Sequence, residues 1–126
     1  MKTLFSFLFA CISIVVVAQN EYIDINKFMT HKVIEECNGY LDKTEHDGDV
    51  YINQVGPPSF YNFDLVRMDI KSIVNEYSDV HVISPWTKSD SDSYFYTMLL
   101  CENVAMSVGW FPELHRIMIL STKVNK

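Results

Sequence analysis

Apolar residues recur along this chain in three rhythms. From Leu4 to Ala18 they are nearly continuous, interrupted only by Ser6 and Ser13. Between about Asp24 and Lys43 they fall three or four apart, at Ile25, Phe28, Met29, Val33, Ile34, Cys37, Tyr40 and Leu41. That spacing lines one face of a helix, with Lys27, Lys32, Glu35, Glu36 and Asp42 largely off the stripe. The same period returns at Val66, Ile70, Ile73, Val74 and Tyr77 and predicts a second helix over about 63–77. Asn62 is placed to cap it, Asp64 to complement its positive end, and Tyr61 with Val66 to staple its entry.

From Val80 onward the period shortens towards two, and β-branched and aromatic residues dominate. Strands are predicted over 80–86, 94–101, 104–111 and 115–124. A shorter strand is expected over 50–55, closed by Gly56-Pro57-Pro58-Ser59, because proline supplies no ladder donor. Thr44 to Asp49 reads as a polar turn, and Lys88 to Ser93 as a solvated loop. The expected order is α-β-α-β-β-β-β. This is an α+β domain in which an antiparallel β-meander of four to five strands packs against two helices.

Register follows from the turns. A two-residue turn at Glu102-Asn103 sets Cys101 opposite Val104, Leu99 opposite Met106, Thr97 opposite Val108 and Phe95 opposite Trp110, all on one core face. If Pro112-Glu113-Leu114 turns the chain next, Phe111 meets His115, Val108 meets Met118 and Met106 meets Leu120. The opposite face then holds Tyr94, Tyr96, Met98, Leu100, Ala105, Ser107, Gly109, Phe111, His115, Ile117 and Ile119, with Tyr96 over Gly109. A turn one residue longer exchanges the faces. In either case both faces are apolar, unlike a sheet wetted on one side. Three covers are open: the second helix, a partner or second copy, or a curling of the sheet into an apolar pocket.

The leading apolar run changes the picture of where the protein works. Lys2 precedes it, its 15 residues are fewer than the ~20 a spanning helix needs, and Val16-Val17-Ala18 offers small residues to a signal peptidase. Residues 1–18 are therefore expected to be a cleaved signal peptide and 19–126 a single domain, secreted or periplasmic, with no membrane span after cleavage. Lys2 leaves with the signal, so nine basic residues face 16 acidic ones and the mature charge is −7. Such a field repels phosphate backbones and argues against nucleic acid. Cys11 also leaves. Cys37 on the helix stripe and Cys101 on the core face remain, and an oxidising compartment suggests a disulfide between them.

Candidate chemistry is sparse. His31, His46, His81 and His115 form no close metal pair. Aligning Gly48 with the glycine of a calcium loop puts Lys43 and Gln54 where ligands belong, so no calcium site is expected. There is no G-x-S-x-G elbow and no phosphate-cradling glycine loop, and no cofactor or metal is expected. Pro57-Pro58-Ser59-Phe60-Tyr61-Asn62-Phe63 is the most distinctive loop, with three aromatics following two prolines.

Surplus apolar and aromatic surface without a catalytic constellation suggests a small non-catalytic binding or interaction protein. Its expected surface is Phe60, Tyr61, Tyr94, Tyr96, Met98, Phe111, His115, Ile117 and Ile119, facing a protein partner, a second copy or a small apolar ligand. The alternative is a small secreted hydrolase or isomerase with an apolar pocket, pairing His81 or His115 with a carboxylate.

Overall fold

A computed structural model describes residues 21–123. The expected signal peptide and its cleavage site lie outside the described residues.

The first helix, α1 (Glu21–Cys37), stops six residues earlier than its apolar spacing predicts. Asn38 takes φ +54° and the Gly39 amide donates to the Ile34 carbonyl at 3.2 Å, which is a Schellman ending. Gly39 has no room for a side chain: a β-carbon there would lie 2.6 Å from the Gly56 carbonyl oxygen. The chain therefore leaves the helix directly into a strand, and Tyr40 and Leu41, expected on the helix, begin it. The strands β1 (Tyr40–Asp47) and β2 (Val50–Gly56) form a hairpin, with Gly48 at φ +58° in its two-residue loop. The expected polar turn is thus mostly strand β1.

The second helix, α2 (Phe63–Glu76), begins where predicted, and the Asn62 side chain accepts from the Leu65 amide at 3.0 Å. The remaining strands are β3 (Val80–Lys88), β4 (Phe95–Cys101), β5 (Val104–Phe111) and β6 (Arg116–Thr122). The domain is α+β, with order α-β-β-α-β-β-β-β and one six-stranded antiparallel sheet ordered β1-β2-β6-β5-β4-β3. β3 to β6 form the expected meander, while the β1–β2 hairpin joins the free edge of β6. α2 carries the chain across the inner face to the far edge.

The β4–β5 register is the one the two-residue turn dictates, with Cys101 opposite Val104 and Phe95 opposite Trp110. The β5–β6 register differs by one residue. Phe111 pairs with Arg116 because the turn includes His115, which takes φ +53°. Every side chain of β6 therefore changes face. Ile117 and Ile119, expected on the second face, are sealed in the core with Val108, Met106 and Leu99. Met118 and Leu120 take their places outside.

Both helices lie on the inner face. α1 packs on β2, β5 and β6, and α2 on α1 and β3. The possibility that α2 covers the second sheet face is thus overturned. The buried stripe of α1 is Tyr22, Asn26, Met29, Thr30, Val33 and Cys37, so two polar residues sit where the apolar pattern led elsewhere. Asn26 is wholly buried. Its Nδ2 donates towards the carbonyls of Tyr51 (3.2 Å) and Ile119 (3.0 Å) and to Ser121 Oγ (3.0 Å). Its Oδ1 accepts from Thr30 Oγ1 (3.0 Å) and Asn53 Nδ2 (3.1 Å). Ser121 Oγ in turn donates to the Tyr22 carbonyl at 2.8 Å. Burial without partners would cost each such group about 1–3 kcal/mol. Fully bonded, the network ties α1 to β2 and β6 in one position.

Cys37 and Cys101 are both buried, and both are free thiols. The expected disulfide is not formed. Cys37 sits beside Gly39 near the end of β2, whereas Cys101 lies between Val80 and Val104 in the ladder. Burial pushes the Cys37 thiol up and raises that of Cys101 to about 11, which keeps both protonated.

Candidate functional site

The outer sheet face is the surface the architecture leaves open. Alternation along β2, β6, β5 and β4 brings Ile52, Met118, Leu120, Ser107, Gly109, Tyr96 and Phe111 to one side, where they line a shallow hollow of about 160 Å³ with Tyr94. Tyr94 stacks on Phe111 at 4.5 Å between ring centres and tilts against Tyr96 at 6.0 Å. Phe111, not Tyr96, covers Gly109: a β-carbon at Gly109 would meet the Phe111 ring at 2.8 Å. Tyr96 only pairs with Gly109 in the ladder. Met98 is exposed, and Leu100, Met118 and Leu120 are half-buried. Arg116 supplies a charge at the rim, where its Nε donates to Asp42 at 2.9 Å.

The aromatic loop stands at the Phe111 end of this sheet. Phe60 points outward at 74% exposure. Tyr61, read from the sequence both as a staple for the helix and as part of the contact surface, is buried, lying 6.1 Å from Trp110 between ring centres and donating its hydroxyl to the Asp69 carboxylate on α2. Burial raises the pKa of both groups. Tyr61 is thus a plug beneath the loop rather than a contact surface. His115 anchors the loop from the other side. Its Nε2 donates to the Pro58 carbonyl at 2.8 Å, and its ring meets Trp110 edge-on at 5.3 Å.

The partner of His115 is thus a backbone carbonyl and not the carboxylate considered for it. His81 lies exposed on β3 beside Leu100 and, among the described residues, forms no ion pair with a carboxylate. His31 pairs with Glu35 on the exposed side of α1 at 2.8 Å, and His46 meets the Tyr22 hydroxyl at 3.0 Å. Among the described residues no three His, Cys, Asp or Glu side chains converge on a point that could hold a metal. No helix among them is long and apolar enough to cross a membrane.

Of the nine residues expected on the binding surface, the structure gathers Tyr94, Tyr96, Met98 and Phe111 on the outer face and sets Phe60 outside at the loop. Ile117, Ile119 and Tyr61 lie in the core, and His115 is half-buried in the β5–β6 turn. Ile52, Met118 and Leu120 were missed. A four-residue turn at Pro112–His115 would have placed Met118 and Leu120, and the alternation of β2 would have placed Ile52.

A second concavity, of about 690 Å³, lies on the opposite side between α2 and the edge strand β3. Met68, Val74, Val82 and Trp86 provide its apolar lining, and Arg67 and Lys71 stand on its helical wall.

No family model matches the chain, and neither a curated protein nor a solved structure matches it.

Proposed function

We propose that this is a small exported interaction protein whose contact surface is the outer sheet face, extended by Phe60 at its end. One observation carries the reading: both helices pack on the inner face, and among the described residues no element covers the outer face, which presents Ile52, Tyr94, Tyr96, Met98, Leu100, Phe111, Met118 and Leu120. Contiguous surface of this kind marks a place for a protein partner, a second copy or an apolar ligand. The edges are poorer candidates. β1 carries Lys43, Glu45, His46 and Asp47, and β3 has two register shifts and Pro85, so neither offers a clean ladder to an added strand. Export rests on Lys2, the apolar run to Ala18 and its small-residue exit.

The test is the association state of the protein spanning residues 19–126, alone and with extracts of its compartment, beside a Leu120→Lys variant. Concentration-dependent association or specific capture that Leu120→Lys abolishes is expected. A strict monomer that captures nothing more than the variant does would end the proposal. N-terminal sequencing of the expressed full-length chain tests export, with Gln19 the expected first residue.

A further inference from the structure

We infer that the groove between α2 and β3 is a second binding site, built for a small amphipathic anion: an apolar chain or ring carrying one carboxylate, sulfonate or phosphate. At about 690 Å³ it falls in the range of small-molecule sites, about 300–1,000 Å³. Its apolar lining is unusual for an outer helical surface. Met68 on the helix is 65% exposed and Val82 on the strand 51% exposed, and both line the groove together with the half-buried Trp86. Trp86 meets Phe63 of α2 edge-on at 5.3 Å, which joins the strand wall of the groove to the start of the helix.

The charge at the groove is opposite to that of the protein. The chain carries 16 acidic and 10 basic residues, yet Arg67 and Lys71, four apart on α2, both stand over this apolar floor. Asp64 is the groove's acid. It lies at the first turn of α2, reaching Arg67 only at 3.9 Å. Among the described residues Lys71 has no ion-pair partner. An anionic head between Arg67 and Lys71, with its apolar body against Met68, Val82 and Trp86, satisfies both halves of the site. An extended peptide fits less well. β3 shifts register between Val82 and Ser84 and again between Ser84 and Thr87, and Pro85 removes a donor, so its edge cannot supply a continuous ladder.

Trp86 makes the test direct. The probe is dodecanoate, titrated below its micellar concentration against tryptophan emission, with dodecanol as the uncharged control. Saturable binding is expected, with dodecanoate at least tenfold tighter than dodecanol. The double variant Arg67→Gln/Lys71→Gln should abolish that preference while leaving dodecanol binding unchanged, and Trp86→Phe should remove the emission change. Both basic residues are exposed, so their replacement leaves the core intact. Leu120→Lys, on the other side of the sheet, should leave the dodecanoate affinity unaltered. No saturation, equal affinity for the alcohol, or loss of binding in Leu120→Lys would each overturn the inference. The last would place the ligand on the outer face instead.

Discussion

On the inner face of the sheet Met106, Val108, Ile117 and Ile119 are sealed beneath α1, whereas on the outer face Met98, Leu100, Met118 and Leu120 remain partly in contact with solvent. The residue types are the same, and along β6 the two sets alternate one residue at a time. Hydrophobic content therefore does not distinguish the faces. Cover does, and cover was decided by where the helices could be fixed. The inner face includes Asn53 and Ser121, which match Asn26 and Thr30 of α1 hydrogen bond for hydrogen bond. The outer face offers no comparable set. A polar lock inside an apolar layer gives a helix one seat, whereas apolar contact alone is non-directional.

The sharpest contrast is chemical reactivity on the inner face. With its thiol pushed up to about 11, Cys101 is ionised to roughly one part in a thousand at pH 8, and buried besides. Alkylation of residues 19–126 should be slowed at least about a hundredfold in the native state, with two thiols titrating once the protein is unfolded. A count of zero after unfolding without reductant would restore the disulfide. In stability, Ile119→Ala should cost about 3 kcal/mol in urea unfolding, and its neighbour Leu120→Ala about 1 kcal/mol or less. Equal losses would mean that the β6 register is wrong. Asn26→Leu should cost about 2 kcal/mol by taking from the Thr30 hydroxyl its acceptor and from the Asn53 amide one of its two acceptors, and should loosen α1 to hydrogen exchange. Asn62→Ala, which frees the first turn of α2, should cost about 1 kcal/mol.

The smallest effect is a pH slope. Burial raises the Asp69 carboxyl above its ordinary value of 3.8. The folded form therefore holds a proton that the unfolded form gives up. Stability from this group is full below 3.8 and is lost as pH rises through the folded value. Asp69→Asn should flatten the urea midpoint between pH 3 and 7, and an unchanged slope would place the effect elsewhere.

Some of this was readable along the chain. The second helix is framed by Asn62 and its apolar stripe, and the β4–β5 hairpin by the spacing around Glu102-Asn103. In both, the deciding interactions span only a few residues. β1 was hidden because Tyr40 and Leu41 continue the α1 stripe in phase, and only the Schellman ending at Asn38-Gly39 breaks it. The outer-face site was half readable: Tyr94, Tyr96, Met98 and Phe111 follow from the hairpin, but Met118 and Leu120 depend on one extra turn residue. The α2–β3 groove left no sequence signal, since its two walls come from elements that look ordinarily amphipathic and edge-like when taken alone.

The sequence by itself determined the α+β class, the meander, and a sheet apolar on both sides, because alternation and turn chemistry are local. Only the tertiary structure decided which side the helices took, which isoleucines the core received, and that the two buried thiols would not bond. Those outcomes hang on contacts between residues as far apart as Asn26 and Ser121, where a single shift in register exchanges inside for outside.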